Sequence, residues 1–425
     1  MSTAQHNYAI LDATLPDGSR GDLFVANGRF VPNWPDDVSV IDATGLIALP
    51  GFVDSHTHLR EPGGEEAETI ATGTLAAARG GYTAVMAMPN TVPTTNTATE
   101  VEWLKQRTAE VGSAEVLPIG AITWDRAGTR LADIAGMAEA GVRVFSDDGS
   151  CVMDAGLMRD ALLAMREFDG VVAQHAQDHT LAGPDACCGA GDACATFGLV
   201  SWPREAEWRV VERDIELARD THARLHVCHI STSESIELIR QAKADGIQVT
   251  CEVTPHHLLL TSDLLASCDT VYKVNPPLRP AADTLALRQA LADGTIDMIG
   301  TDHAPHTQAD KALAFPAAKP GMVGLEQALA VVIETMVTPG LIRWNDVVRV
   351  MSYAPAALPG NVTNQGRSLT PGEPANLVLV NPTRRSVCDR KASASKGRNC
   401  PYHALDLPDP IELTLWVGRV TNERA

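Results

Sequence analysis

The 425-residue sequence predicts an α/β fold: a (β/α)8 TIM-like barrel with a small β-sandwich domain formed from both chain termini. Three observations predict it. Eight short apolar runs recur between residues 51 and 306, and most are followed by a stretch rich in Ala, Leu, Glu and Arg. Histidines and aspartates gather at the ends of those runs, as they do on the C-terminal face of a parallel barrel. Both chain ends read as strands and turns. The length is too great for one small core, and a composition of 45% hydrophobic and 20% charged residues can bury a substantial interior. The expected division is residues 1–50 and 359–425 for the two parts of the β-sandwich domain, and 51–358 for the barrel.

In chain order, "YAILDATLPDGSRGDLFVANGRFV" alternates apolar and polar residues around Asp-Gly and Asn-Gly turns, the pattern of short antiparallel strands. The eight barrel runs follow: "GFVDSHTH", "TAVMAMPN", "EVLPIGAIT", "VRVFSDDG", "GVVAQHA", "ARLHVCHIS", "IQVTCEVTP" and "IDMIGTDHAPH". Helices are expected between them in "EEAETIATGTLAAARGG", "DAGLMRDALLAMREF" and "PREAEWRVVERDIELARD". The tail returns to strand character in "PGEPANLVLVNP" and "IELTLWVGRVT", which are expected to pair with the N-terminal strands.

A net charge of -19 argues against binding a nucleic-acid backbone or an anionic membrane, and requires local positive charge wherever an anionic substrate is held. The N-terminus has no basic start followed by an apolar core, and no run of 18 apolar residues occurs, so a cytoplasmic protein is expected. The nine cysteines do not form a disulfide framework pattern. Cys187, Cys188 and Cys194 lack the paired spacing of a structural zinc loop, and Cys151, Cys228 and Cys251 are expected as buried thiols.

The stretch "GFVDSHTHLREPG" carries the first chemical signal. Alternate residues of a strand point the same way, so His56, His58 and Arg60 should share one face while Val53, Ser55 and Thr57 take the other. Other strand ends offer Asp147 and Asp148, His175, His226 and His229, His256 and His257, and Asp302, His303 and His306. Any one of these histidines is ordinary as a core or loop residue. Thirteen histidines falling so often at strand ends is what a metal site at a barrel mouth requires. Imidazoles with carboxylates suit zinc or a similar divalent ion better than magnesium or calcium.

Taken together, "GFVDSHTHLREPG", "MPNT", "FSDDG", "HVCHIS", "EVTPHHLLL", "NPPLR" and "TDHAPH", in that order, closely resemble the dihydroorotases of the amidohydrolase superfamily, specifically the bacterial type I class. The resemblance implies zinc, one or two ions per chain with two expected. It implies His56, His58 and Asp302 on one ion, His175 and His229 on the other, and Asp148 bridging them. Asp302 would also be the catalytic acid and base. Arg60, Asn90, Asn275 and His306 match substrate-contacting positions, the substrate pair being N-carbamoyl-L-aspartate and dihydroorotate in pyrimidine biosynthesis. A homodimer and an association with aspartate transcarbamoylase belong to the same set of expectations. His226, His256 and His257 match family motifs without a ligand role. Family members commonly carry an acidic residue where this chain has Gln177, and the segment Thr307 to Gly321 reads as a substrate loop.

Two other readings compete. Hydantoinases and allantoinases share the strand-end histidines but bridge their metals with a carboxylated lysine, and "VRVFSDDG" offers no lysine. A metal-free structural partner of aspartate transcarbamoylase would have lost ligand positions that are all filled here.

Overall fold

The computed structural model describes residues 7–189, 191–360 and 364–424, with Asp192 and Ala193 as backbone only; the first six residues of the expected N-terminal β unit lie outside it. β1 (Asn7–Thr14) pairs antiparallel with β2 (Arg20–Ala26), which pairs with β3 (Arg29–Val31). The β2–β3 turn places Asn27 at φ 52° and Gly28 at φ 76°, the two positive-φ positions that a type I′ turn demands. β4 (Val38–Asp42) and β5 (Ile47–Pro50) run parallel to β1.

Each of the eight apolar runs contains a strand. β6 (Phe52–Thr57), β7 (Tyr82–Ala87) and β8 (Glu115–Pro118) form one parallel sheet. β9 (Val144–Phe145) and β10 (Val171–Gln174) belong to a second, and between β10 and its next strand the chain makes an excursion through β11 (Ala186–Gly189) and β12 (Val200–Trp202). β13 (Arg224–Val227), β14 (Val249–Val253) and β15 (Met298–Ile299) complete that sheet in the order β15-β14-β13-β10-β9. Single parallel bridges join the two sheets at both edges, Gly120 to Phe145 and Thr57 to His303, rather than one continuous closed ladder.

The expected helices form at Ile70–Arg79, Ala155–Arg166 and Glu205–Thr221. Thr69 and Asp154 cap the first two by accepting backbone N–H groups, and the third buries Ala206, Val210, Val211, Ile215 and Ala218 along one helical face. Among the described residues no helix is long and apolar enough to cross a membrane.

The tail returns as expected. β16 (Leu377–Val380) pairs with β5, a hairpin of β17 (Arg385–Val387) and β18 (Asp406–Pro408) follows, and β19 (Ile411–Trp416) and β20 (Arg419–Glu423) extend the terminal sheet from β16. Ile10, Val25, Phe30, Leu377, Leu379, Leu413 and Leu415 close its core from both chain ends. Hydrogen bonding links these strands into one eight-stranded sheet that branches at β1, which takes β2, β4 and β5 as partners.

The cysteine reading needs one correction. Cys188, on β11, and Cys194 are joined by a disulfide, with their Cα atoms 6.2 Å apart. Cys151, Cys228 and Cys251 are buried free thiols, as expected.

Candidate metal centre

The site begins on β6. His56 lies inside the strand and His58 just beyond it, with ring centroids 5.3 Å apart and both Nε2 atoms toward Asp302 Oδ1, at 3.6 and 3.1 Å. Alternation fails for Ser55, however. Register shifts in β6 turn its hydroxyl onto Glu252, the carboxylate that His56 also reaches.

The other groups arrive from β9, β10, β13 and β15, each from within three residues of the strand's C-terminal end. Asp148 sits in the middle. Its carboxylate lies 3.4 Å from His56 Nε2, 3.3 Å from His58 Nε2, 3.4 Å from His175 Nδ1 and 3.3 Å from His229 Nε2. His175 Nδ1 and His229 Nε2 face each other at 3.0 Å. Thus His56, His58, Asp148, His175, His229 and Asp302 meet in one buried cluster. His229 (φ 33°), Asp302 (φ 44°) and Arg60 (φ 61°) hold positive φ, a cost that non-glycine residues carry mostly at functional sites.

The donor set fits a metal. His56 Nδ1–H donates to Glu252 Oε1 at 2.6 Å, His58 Nδ1–H to Asn90 Oδ1 at 2.9 Å, and His175 Nε2–H to Gln177 Oε1 at 3.1 Å. An acceptor on each outer nitrogen holds the proton there and leaves the inner nitrogen a bare lone pair aimed into the cluster. His56 Nε2 is buried with no hydrogen-bond partner at all. Imidazole nitrogens and carboxylates in this number suit a transition-type divalent ion. Burial alone would raise Asp148 and Asp302, but the surrounding imidazoles hold both below the carboxylate range, His56, His175 and His229 around Asp148 and His58 beside Asp302.

The two adjacent aspartates divide their work. Asp147 accepts from the backbone N–H of Ile122 (2.9 Å) and Thr123 (3.0 Å) and from the Thr123 hydroxyl, so it fixes a loop while Asp148 faces the imidazoles. Arg60 is half-buried beside the cluster, its Nε donating to Pro305 O at 3.1 Å; desolvation lowers it to about 10, still cationic at neutral pH. Asn90 spends its Oδ1 on His58 and keeps its amide hydrogens. His306 Nε2–H donates to Pro320 O at 2.7 Å within the Thr307–Gly321 segment. Asn275 Oδ1 is buried and unpaired, and no hydrogen bond of that atom joins it to the cluster. Gln177 occupies the place expected for an acid and still pairs with His175 through its amide oxygen.

Of the other strand-end histidines, His226 lies 3.3 Å from Glu252 Oε2, and His257 is pinned between the Thr254 hydroxyl (2.7 Å) and Pro276 O (3.2 Å). Burial lowers His257 to about 4 and keeps it neutral.

The sequence reading missed Glu252, Asp54 and Asn399. Glu252 is a fully buried acid on β14, and Gly300 stands so close that any Cβ there would strike the carboxylate. Asp54 accepts from Thr301 N–H and its hydroxyl, both at 2.7 Å, tying β6 to the chain after β15. A charged residue inside an apolar strand run was the available signal for both.

Buried imidazoles and carboxylates at the ends of parallel strands, with an arginine beside them, define a metal-dependent amidohydrolase. Comparison with known proteins narrows this. A family model described as "Dihydro-orotase-like" matches residues 45–235. A dihydroorotase of Streptomyces coelicolor is 51% identical over 388 residues (91% of this chain, 90% of that protein), and one of Mycobacterium tuberculosis is 48% identical over 413 residues (95% of each). Among solved structures, the L-hydantoinase (dihydropyrimidinase) of Arthrobacter aurescens superposes with a TM-score of 0.88 at 25% identity, over 98% of this chain and 96% of that one. The chain belongs to the dihydroorotase family.

Proposed function

We propose that this chain catalyses the reversible cyclisation of N-carbamoyl-L-aspartate to dihydroorotate plus water, in pyrimidine biosynthesis, as a zinc-dependent enzyme of the bacterial type I class. The observation that carries this reading is the place of Asp148. One carboxylate reaches all four imidazoles, where a bridging group between two cations has to stand, and the fourth strand has no lysine to take that role. His56, His58 and Asp302 would hold one zinc, His175 and His229 the other, with Asp148 shared.

A divalent ion in this cluster supplies Lewis acidity toward the amide carbonyl and a water that is reactive at neutral pH. The chain's own residues do the rest. Asp302, kept ionised, takes the proton released as the ring amide is attacked and delivers it to the leaving nitrogen; in the biosynthetic direction it runs the same transfers backward. Arg60, anchored through Nε, leaves its Nη groups for the substrate carboxylate, which meets the need for local positive charge in a chain of net charge -19. Asn90 adds amide hydrogens, and His306 and Asn275 complete the substrate contacts. Metal-binding groups and carboxylate anchor share one strand end, so the scissile carbonyl is held in fixed relation to both.

The same reading includes a (β/α)8 barrel. The two edge bridges and a common buried cluster drawn from Val53, Met86, Val144, Ala173 and Met298 support closure of the two parallel sheets into one. It also includes the domain division at residues 50 and 358, a cytoplasmic setting, a homodimer and an association with aspartate transcarbamoylase, the last two to be read by sedimentation of the chain alone and mixed with that enzyme.

The test is turnover of dihydroorotate by zinc-loaded protein, with metal content measured on the same sample. Two zincs per chain and hydrolysis of dihydroorotate are expected; turnover of hydantoin alone would overturn the assignment. Arg60→Ala should raise KM for dihydroorotate with a smaller effect on kcat, and an unchanged KM would remove Arg60 from the carboxylate site.

A further inference from the structure

The β17–β18 hairpin carries a thiol pair that the proposed reaction does not use. Cys388 follows β17 and Cys400 lies twelve residues on, with their sulfurs 3.8 Å apart. Cys388 is half-buried and lines a cleft of about 450 Å3 with Arg79, Glu326, Asp389 and Arg424, while Cys400 is buried. A cleft of that size admits a small solute to the wall that Cys388 helps to form.

The segment between the two cysteines rests on the candidate site. Ser395 Oγ and Lys396 N–H donate to the buried Glu68 carboxylate, which lies 3.3 Å from His303 Nε2. Asn399, the neighbour of Cys400, binds both ends of the substrate loop. Its Nδ2 donates to Ala304 O at 2.9 Å and Gly321 O at 3.0 Å, and its Oδ1 accepts from His306 N–H at 3.1 Å. Cys388, by contrast, is fixed to the hairpin by two backbone hydrogen bonds, with Leu405 O and Ala404 N–H, each 2.8 Å.

We propose that Cys388 and Cys400 are a redox site that closes to a disulfide on exposure to a hydroperoxide and thereby loosens substrate binding through Asn399. Bond formation must shorten the sulfur separation by ~1.8 Å, and whatever part of that shift the two side-chain torsions do not absorb displaces the backbone, at the Cys400 end next to Asn399. The chemistry balances without a further reactant. The Cys388 thiolate attacks one peroxide oxygen, the O–O bond breaks, and water leaves after protonation, giving a sulfenic acid. The Cys400 sulfur then attacks that sulfur, the S–O bond breaks, and a second water leaves. Two thiols and one hydrogen peroxide become a disulfide and two waters, and a dithiol reverses it. Asymmetry between the sulfurs supports the order of attack: the contact with Cys400 lowers the Cys388 thiol, while the same contact and burial push Cys400 up.

The test treats the full, metal-loaded chain with hydrogen peroxide. Peptide mapping should find Cys388 crosslinked to Cys400, hydrogen exchange should rise across residues 304–321, and KM for dihydroorotate should increase about tenfold at constant metal content, all reversed by dithiothreitol. Cys388→Ser should keep the starting KM and not respond, and Cys400→Ser should stop at a sulfenic acid on Cys388 that dimedone traps. Absence of both crosslink and adduct, or a crosslink that leaves exchange and KM unchanged, overturns the proposal. The KM arm rests on the dihydroorotase reading. Should untreated protein fail to turn over dihydroorotate, that reading fails by itself, and crosslink with hydrogen exchange still decides the thiol site.

Discussion

The terminal sheet and the mouth of the parallel strands are both buried, and opposite chemistry fills them. In the terminal sheet Ile10, Phe30, Leu377, Leu413 and Leu415 exclude water by apolar contact alone. At the strand mouth the same degree of burial encloses four imidazoles, Asp148, Asp302 and Glu252. Burying charge costs stability unless every group is paired, and here the outer nitrogens of His56, His58 and His175 have acceptors while their inner nitrogens face the cluster. The first interior is built for stability. The second accepts cost in order to present lone pairs, so substitutions in the two should move different observables.

Asp302→Asn should have the largest effect. Turnover of dihydroorotate should fall by about 10²–10⁴-fold, because the proton carrier is gone, while the melting temperature stays close to that of the parent. Near-normal turnover would end the proton role of Asp302, and a collapse in melting temperature would show that the mouth is also a stability element. Leu415→Ala makes the reciprocal experiment. Leu415 on β19 is fully buried, and its truncation should cost about 2–5 kcal/mol by chemical denaturation without changing kcat/KM per folded molecule. A matching loss of activity would mean that the two interiors are coupled.

How much of each interior the sequence displayed follows from the range of the signal. Alternating apolar residues and the Asn-Gly turn are local, so β1 to β3 were legible, as were the eight apolar runs and the histidines and aspartates at their ends. The six clustered residues were legible only together with the family resemblance, since spacing alone could not choose Asp148 over Asp147. Contacts between distant segments were not legible. Nothing near Glu252 in sequence says that Ser55, His56 and His226 surround it, and nothing near Asn399 announces Ala304, His306 and Gly321. The branching of the terminal sheet at β1 is equally nonlocal, because hydrogen-bond partners are chosen after the chain ends meet.

Glu252 sharpens the comparison from within the mouth. It is a buried acid that touches His56 and stands outside the expected ligand set. Burial would raise it, yet His56 and His226 hold it well below its ordinary range, so it is an anion that fixes the proton on His56 Nδ1. Glu252→Gln keeps the shape and removes the charge. Zinc affinity should weaken about 10–100-fold in a competitive chelator titration, with the fold retained. Unchanged affinity would make Glu252 a packing partner of β6 only.

The smallest predicted effect concerns the segment Thr307 to Gly321. Lys311 donates to Lys273 O (3.4 Å), Lys319 O (3.0 Å) and Gly321 O (3.3 Å), so one ammonium gathers both ends of the segment after Thr307. Burial, then the charge of Lys273, lowers it to about 8. The folded chain therefore releases this proton near pH 8, whereas the unfolded chain keeps it to beyond pH 10. Between those values the folded state binds fewer protons, so this group makes stability rise with pH even as its clasp is lost. The consequence belongs in KM. A neutral amine has two hydrogens for three carbonyls, and one lost hydrogen bond of ~1 kcal/mol corresponds to about a fivefold rise in KM as pH passes through 8. Lys311→Arg stays charged across that range and should erase the inflection; a KM profile identical in parent and variant would release the loop from Lys311.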